Sequence, residues 1–278
     1  MSLRFTKMHG LGNDFMLLDR IQQDLAVPVD RIKELSDRRT GIGFDQLLVI
    51  EPSTIPGSDF NYRIYNADGS EVEHCGNGAC CVTRYLIDQG LSANKLISLS
   101  MPTGNIIHCE ALSDGQVSVD MGAPITRPAE IPFLADKEAL TYHLLLPGEH
   151  NIEISALSMG NPHAVYQVDN VDTAPVATFG PLIEQHERFP DRVNAGFMQI
   201  VRPDLIRLRV FERGAGETLA CGTGACAAVV AGIRRSLLAE TVTVELKGGK
   251  LSISWKGTNS SVFMTGPANT VYQGQVDL

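Results

Sequence analysis

Two cysteines stand at the start of a short motif that occurs twice in the chain. The first copy, residues 75–80, reads CGNGAC, and the second, residues 221–226, reads CGTGAC. The offset is 146 residues (221 minus 75), about one domain length, and Arg63 and Glu71 recur at the same offset as Arg209 and Glu217. A period this long predicts two similar domains, each built from a strand, a turn, a cysteine and a helix.

Small apolar residues follow each cysteine over the length of a helix. The second stretch, residues 225–233, has no polar side chain. A helix that is apolar on every side must be buried, so we expect each cysteine to begin a helix enclosed by a sheet. The N–H groups at such a helix start and the positive end of the helix dipole stabilise negative charge. This environment is typical of thiols whose pKa is lowered from about 8.5 to roughly 3.5–7.5.

Two equivalent thiols predict proton transfer at one tetrahedral carbon, held in a cleft between the two domains. One thiolate would remove a proton from one face and the opposite thiol would deliver one to the other face, so the configuration inverts without a cofactor. The charge of the intermediate would rest on a carboxylate bound by the two helix starts, more tightly in the transition state than in the ground state. The thiols themselves would contribute general acid–base catalysis of roughly 10²–10⁴-fold.

The composition narrows the class of protein. The chain has 278 residues, 44% of them apolar, and a formal net charge of −9. It lacks a basic run, which argues against nucleic acid and anionic membrane surfaces as partners. No apolar run approaches the roughly 20 residues that a membrane helix needs, and the N-terminus lacks the apolar core of a signal peptide. Six cysteines without a secretion signal indicate thiols in a reducing compartment, so we expect a cytoplasmic protein.

Hydrophobic periodicity and turn signals predict the order of the remaining elements. We predict a helix over residues 30–37, capped by Asp30, and another over residues 181–187. The related sequences MGAP at residues 121–124 and MTGP at residues 264–267 indicate a boundary, which predicts domains over residues 1–122 and 123–266, with residues 267–278 packing back on the first. The predicted strands are residues 5–9, 15–18, 47–50, 61–65, 95–100, 105–110, 116–121, 164–166, 198–201, 205–211, 241–246, 251–255 and 262–264.

Six motifs together resemble those of the diaminopimelate epimerases. In chain order they are GNDF (12–15), NADGS (66–70), CGNG (75–78), GNPH (160–163), ERG (212–214) and CGTG (221–224). The resemblance covers nearly the whole chain and implies interconversion of LL- and meso-2,6-diaminopimelate, a precursor of lysine and peptidoglycan, with no cofactor and no metal. It also implies an α/β fold of two pseudo-symmetric domains, each a mixed sheet or barrel wrapped round a central buried helix.

The resemblance further implies a role for each motif residue. Cys75 and Cys221 resemble the two acid/base thiols, His163 the residue that helps to ionise the first, and Glu212 the residue that helps to ionise the second. An Arg fork with neutral amides suits the distal amino-acid head of diaminopimelate. The residues that resemble the family's substrate-binding groups are Asn13, Gln46, Asn66, Gly76, Asn77, Asn161, Asn194, Arg213, Gly222 and Thr223. Tyr272 resembles a dimer-interface tyrosine, which implies a homodimer.

Other interpretations of these residues remain open. Enzymes of the proline racemase and hydroxyproline epimerase type use a similar cysteine pair, although proline has no distal head for the amides and arginine to hold. The spacing of Gly222, Gly224 and Ala227 formally matches a dinucleotide fingerprint, a function of another class. The sequence gives little support for zinc binding, because the two cysteines of each C-x₄-C pair would lie on a helix and face different ways. We expect Cys80, Cys81, Cys109 and Cys226 to be core residues.

Overall fold

The computed structural model describes residues 2–25, 27–72 and 75–277. The chain forms two compact units, Met1–Asp120 with Thr265–Leu278, and Met121–Met264. Four α-helices are found in the described residues: α1 (Val29–Ser36), α2 (Gly76–Asp88), α3 (Val176–Glu184) and α4 (Gly222–Arg234), with a 3₁₀ turn at Pro128–Glu130. The strands are β1 (Ser2–Gly10), β2 (Asn13–Asp19), β3 (Gln46–Pro52), β4 (Phe60–Asn66), β5 (Glu71–Val72), β6 (Leu96–Ser100), β7 (Ile106–Ala111), β8 (Val117–Asp120), β9 (Tyr142–Leu146), β10 (His150–Ser158), β11 (Pro162–Gln167), β12 (Asn194–Arg202), β13 (Leu205–Glu212), β14 (Gly216–Glu217), β15 (Thr241–Leu246), β16 (Gly249–Trp255), β17 (Val262–Gly266) and β18 (Asn269–Asp277).

The two units repeat one strand topology. In the first unit, β18 pairs with β1 and the sheet continues through β2, β3, β4, β6, β7 and β8. In the second unit, β9 takes the place of β18, and the sheet continues through β10, β11, β12, β13, β15 and β16. Parallel pairs fall at the same two places in each sheet, β2–β3 and β4–β6 against β11–β12 and β13–β15. Each parallel pair requires a crossover, and a helix lies in every one of them.

Each cysteine directly precedes a buried helix, as predicted. Cys75 is the N-cap of α2 and Cys221 the N-cap of α4. The helix α2 packs against β1, β7 and β8, and α4 packs against β10, β11 and β16, so the sheet of each unit wraps round its own helix. The apolar residues of α4 from Ala225 to Ala231 are almost completely buried. The predicted α/β fold with a central helix is therefore confirmed.

The duplication extends to matching ion pairs. Arg63 contacts the Glu71 carboxylate through Nε and Nη2, at 2.8 and 3.1 Å. Arg209 contacts Glu217 through the same two nitrogens, at 2.6 and 2.9 Å. Each pair joins the strand before the cysteine to the short strand that pairs with it, so the repeated arginine and glutamate hold the turn that leads into each helix.

Two helix predictions were wrong in detail. The first helix is capped by the backbone of Pro28, whose carbonyl accepts the N–H groups of Arg31 and Ile32, and Asp30 lies inside the first turn. The predicted helix over residues 181–187 instead runs from Val176 to Glu184, with Pro181 inside it. The N–H groups of Thr178 and Phe179 donate to the Pro175 carbonyl, so the helix begins more than one turn earlier than predicted.

The predicted strands all coincide with strands of the two sheets, but some strands were missed. The strands β9, β10 and β18 and the short strands β5 and β14 were not predicted. The C-terminal strand β18 pairs with β1 inside the first unit. The cysteines expected in the core, at positions 80, 81, 109 and 226, are buried, which confirms that prediction. Among the described residues no helix combines the length and the apolar character needed to cross a membrane.

Candidate active site

In the first unit, three amide side chains lie at one end of the sheet. The parallel strands β2 and β3 begin at Asn13 and Gln46, and the antiparallel strand β4 ends at Asn66. Because a parallel strand's start and an antiparallel strand's end meet at the same sheet edge, the fold brings these amides together. Gln46 and Asn66 are directly paired across β3 and β4, and Nε2 of Gln46 donates to Oδ1 of Asn66 at 3.0 Å. Among the described residues Oε1 of Gln46 has no partner.

The second unit places its own polar residues at the equivalent edge. Asn161 immediately precedes β11, Asn194 begins β12, and Glu212 ends β13. His163, the second residue of β11, is paired in register with Asn194. The sheet therefore positions the histidine, two of the predicted amides and the carboxylate close to the strand that leads into α4.

Cys75 lies at the N-cap of α2 in extended conformation, and its sulfur accepts the N–H of Gly78 at 3.4 Å. This is the kind of contact that stabilises negative charge on sulfur. The backbone approaches closely here: a Cβ on Gly78 would lie 3.1 Å from Cδ2 of Leu48 and would collide with the Tyr62 hydroxyl. That buried hydroxyl donates to the Cys75 carbonyl at 3.3 Å. Tyr62 thus fixes the backbone that carries the thiol.

Asn13 lies beside Cys75, with 3.8 Å between the sulfur and Oδ1 of the amide. Nδ2 of Asn13 donates to Oδ2 of Asp45 at 3.2 Å. A carboxylate only accepts hydrogen bonds, so Asp45 fixes which way the amide points and leaves its oxygen toward the thiol. Arg38 in turn donates to Oδ1 of Asp45 at 2.7 Å.

Cys221 has a different set of partners. Its sulfur lies 3.0 Å from Oε2 of Glu212, to which the thiol donates, and 3.6 Å from Oγ1 of Thr223. Oε1 of Glu212 accepts the Thr218 hydroxyl at 2.5 Å. The carboxylate is therefore held on one side by Thr218 and faces the thiol with the other, the arrangement expected of a base that can take the proton of Cys221.

Four further predicted residues form the first two positions of the helices. Gly76 and Asn77 open α2, and Gly222 and Thr223 open α4. Backbone N–H groups in the first turn of a helix have no intrahelical acceptor. Together with the helix dipole, each start is therefore suited to bind an anion such as a carboxylate.

Comparisons with known proteins identify the family of the chain. A family model described as "Diaminopimelate epimerase" matches residues 5–126 and 155–271. Over 278 residues, and 100% of both chains, this sequence is 59% identical to a diaminopimelate epimerase of Chromobacterium violaceum and 57% identical to one of Ectopseudomonas mendocina. The chain belongs to the diaminopimelate epimerase family.

Solved structures at low identity share the fold of this family. A hydroxyproline epimerase from Agrobacterium vitis aligns with a TM-score of 0.71 and 15% identity, covering 99% of this chain and 92% of that one. A phenazine biosynthesis protein of the PhzF family from Bacillus anthracis aligns with a TM-score of 0.68 and 14% identity, covering 100% of both chains. At these identities the likeness concerns the fold alone.

The thiol of Cys221 departs from the expectation for a helix start. Its sulfur is in a residue only 4% exposed, and burial, followed by the Glu212 carboxylate, raises the pKa of Cys221 well above its ordinary value. Desolvation and a neighbouring negative charge both disfavour a thiolate, and together they outweigh the helix dipole. Cys221 is therefore a protonated thiol at neutral pH.

His163 is 1% exposed, and its Nε2 lies 2.9 Å from Oδ1 of Asn161. Since an amide oxygen only accepts, Nε2 carries the proton and Nδ1 is left as an acceptor. Burial, followed by the charge of Arg213, lowers the pKa of His163 to about 3. The imidazole is therefore neutral at physiological pH, the form in which it can accept a proton.

The buried neutral state of His163 predicts a pH-dependent stability. An exposed histidine has a pKa of about 6.5, so the unfolded chain binds a proton that the folded protein excludes until the pH approaches 3. The free energy of unfolding should fall as the pH drops below 6.5, by about 2 kcal/mol from this residue between pH 6.5 and pH 5. Urea unfolding of the wild type and of His163→Gln at both pH values measures this, because the variant lacks the group. Equal losses in the two proteins would contradict a neutral buried histidine.

Asn194 and Arg213 are joined to each other. Oδ1 of the buried Asn194 accepts the backbone N–H of Arg213 at 3.0 Å, and its Nδ2 donates to the Pro162 carbonyl at 3.0 Å. Nη1 of Arg213 donates to the Asp191 carbonyl at 3.0 Å, while the residue is exposed. The other guanidinium N–H groups have no partner within the described part of the chain, so they are available to an anionic ligand.

Sequence reasoning missed three residues that hold predicted site residues in place: Tyr62, which bonds the Cys75 carbonyl, Asp45, which bonds Asn13, and Thr218, which bonds Glu212. Tyr62 and Thr218 lie near a cysteine in sequence, but neither recurs in the other copy of the repeat, where the equivalent positions are Leu208 and Val72. Asp45 directly precedes the predicted Gln46, and an acidic residue at that place was the available signal. In the described ranges no three His, Cys, Asp or Glu side chains cluster as a metal site requires.

Tyr272 lies on β18 and is 45% exposed, next to Val271, which is 55% exposed. The tyrosine ring packs edge-on against Phe5 of the neighbouring strand, with 5.9 Å between ring centroids. The phenol is thus held in place by the first unit while much of its surface faces outward.

Proposed function

We propose that the chain interconverts LL- and meso-2,6-diaminopimelate by a two-thiol proton transfer at the α-carbon. It is an isomerase, an amino-acid epimerase, and its substrate is a small amino acid. The observation that carries the mechanism is the recurrence of one arrangement in both units, a cysteine at the N-cap of a buried helix. The mechanism requires both sulfur atoms to reach one carbon when substrate is bound.

In one direction, the thiolate of one cysteine removes the α-proton and becomes a thiol. The electron pair of the broken C–H bond delocalises into the adjacent carboxylate, and the S–H of the other cysteine delivers its proton to the opposite face. The second sulfur is then a thiolate, so the reverse reaction uses the same groups in exchanged roles. The raised pKa of Cys221 supports its role as the acid. When Cys221 acts as the base, Glu212, whose Oε2 lies 3.0 Å from the sulfur, would take its proton. Neutral His163 would accept the proton of Cys75.

The reacting carboxylate would bind at the helix starts formed by Gly76, Asn77, Gly222 and Thr223, whose N–H groups are preorganised for the charge that develops there. The distal head of the substrate carries a carboxylate and an ammonium group. Arg213 suits the carboxylate, and the amides of Asn13, Gln46, Asn66, Asn161 and Asn194 suit a mixture of donors and acceptors. The unpartnered Oε1 of Gln46 is an acceptor for a substrate N–H group.

The chemistry needs neither cofactor nor metal, because the thiols, the helix starts and the carboxylate supply every group that moves a proton or holds charge. The product would feed the synthesis of lysine and peptidoglycan in the cytoplasm. The exposed Tyr272, rigidly packed on Phe5, supports a homodimer formed through β18.

Isotope exchange tests the reaction and the substrate together. With LL-diaminopimelate in deuterated water, the meso product should carry one deuterium at the inverted carbon, because the proton delivered comes from a thiol that exchanges with solvent. Chiral chromatography with mass spectrometry measures product and label. L-Proline offered under the same conditions should stay unchanged. Meso product without deuterium would contradict proton transfer, and faster racemisation of proline would contradict the substrate.

A further inference from the structure

Glu184 is a buried carboxylate that the proposed reaction does not use. It is the last residue of α3 and is only 3% exposed. Placing a carboxylate out of water is unfavourable unless it is hydrogen-bonded and paired. The partners of Glu184 therefore indicate what the residue is for.

The Glu184 side chain joins two separate segments of the second unit. Its Oε1 accepts the backbone N–H of Gly214 at 3.1 Å and lies 3.4 Å from Nη1 of Arg192. Its backbone carbonyl accepts the N–H of Val193 at 3.1 Å. One residue thus contacts both the segment 191–194 and the turn 212–214.

Those two segments carry three residues of the proposed site. Asn194 and Arg213 are proposed to bind the substrate, and Glu212 is proposed to take part in proton transfer. They are already linked at Arg213, whose backbone N–H donates to Asn194 and whose Nη1 donates to the Asp191 carbonyl. The turn between Asp191 and Asn194 is tight, because Arg192 adopts a φ of +60°. Gly214 is in the left-handed region as well, at a φ of +74°. The strand pairings end at Asn194 and Glu212, so Arg192 and Gly214 lie outside them, and Glu184 contacts both of these residues.

We propose that Glu184 is a positioning residue that sets the direction of the Arg213 guanidinium and so the affinity for the distal carboxylate of the substrate. This inference rests on the proposed function, which supplies the distal carboxylate. Without the carboxylate of Glu184 the Gly214 N–H loses its acceptor, and the turn that carries Arg213 is held against segment 191–194 only by the bonds of Arg213 itself. A guanidinium binds a carboxylate by two parallel hydrogen bonds, so a change in its direction weakens both.

The test compares Glu184→Leu with Glu184→Gln and with the control Glu187→Leu, which changes a glutamate three residues further on that lies outside α3. Loss of the charge-assisted hydrogen bond to the Gly214 N–H and of the contact with Arg192 is expected to raise KM of the leucine variant about 5- to 100-fold, with kcat within about threefold of the wild type. Glutamine keeps an acceptor oxygen of the same reach, so its KM should stay within about threefold. The control should leave both constants unchanged.

A second variant covers the case in which the leucine protein does not fold. Arg192→Gly removes the guanidinium that also holds the carboxylate, and glycine adopts the φ of +60° at this position without strain. We expect its thermal midpoint to stay near that of the wild type and its KM to rise about threefold, the effect of a partly exposed charged contact.

A double-mutant cycle with Arg213→Met separates positioning from a general structural role. If Glu184 acts through Arg213, the effect on KM of Glu184→Leu, or of Arg192→Gly, should vanish in the Arg213→Met background. Full additivity, an unchanged KM in the single variants, or a fall in kcat at constant KM would each overturn the inference. Failure of the proposed function would be seen separately, as a wild-type protein that does not epimerise diaminopimelate.

Discussion

Replacing either Cys75 or Cys221 by alanine is expected to lower kcat for epimerisation at least about 10³-fold, because each thiol serves one face of the carbon and neither can replace the other. The fold should survive, since sulfur forms only weak hydrogen bonds, here with Gly78 at 3.4 Å and Asn13 at 3.8 Å, and loss of the Cys221 sulfur leaves Glu212 still bonded to Thr218. Initial rates measured by chiral chromatography on proteins with unchanged circular dichroism give the effect.

The single variants should also reveal which step is lost. In deuterated water, a protein that keeps one thiolate can remove an α-proton, exchange it with solvent and return a deuteron to the same face. Recovered substrate should therefore gain deuterium without inversion. The control is Cys226→Ala, which changes a buried thiol five residues along the same helix and away from the helix start. Epimerisation at more than about a tenth of the wild-type rate in either Cys75→Ala or Cys221→Ala, or an equal loss in Cys226→Ala, would contradict the two-thiol mechanism.

The sequence predicted the elements whose local pattern repeats and missed those that no local repeat marks. The cysteine, the Gly-x-Gly turn and the apolar helix are present in both copies, and both copies proved to be helices enclosed by a sheet. Local patterns also located the strands that begin or end at Asn13, Gln46 and Glu212. By contrast, β9 and β18 hold equivalent places in the two sheets but come from opposite ends of their units in sequence, so no local repeat marked them.

The remaining differences come from contacts that join distant segments. The start of α3 was predicted at Pro181, but the helix begins directly after Pro175 and packs on β13, where a Cβ on Gly180 would collide with the Phe211 ring. The raised pKa of Cys221 arises from burial and from a carboxylate nine residues away, and both oppose the local effect of the helix dipole. Glu184 contacts a turn 30 residues away, which its own neighbours in sequence do not indicate.

Arg213→Met is expected to lower kcat/KM for diaminopimelate about 10²–10⁴-fold, because two charge-assisted hydrogen bonds to the distal carboxylate would be lost. Methionine keeps the length and most of the apolar stem of arginine, so the exposed position should tolerate it. The backbone N–H that donates to Asn194 is retained, and the turn should stay in place. Arg213→Lys keeps the charge but not the planar fork, and it should recover only part of the loss.

The distal head itself provides the control for this prediction. Alanine has the α-carbon and the reacting carboxylate of diaminopimelate but no distal head, so Arg213 has nothing to hold. Its α-proton should therefore exchange with deuterated water at the same slow rate in the wild type and in Arg213→Met, measured by proton NMR over long incubation. If exchange on alanine falls as far as epimerisation of diaminopimelate, Arg213 acts on the reacting centre. If neither rate changes, the distal carboxylate is bound elsewhere. We therefore expect the specificity for a substrate with two amino-acid heads to depend strongly on the exposed Arg213 guanidinium, which the turn behind it would orient.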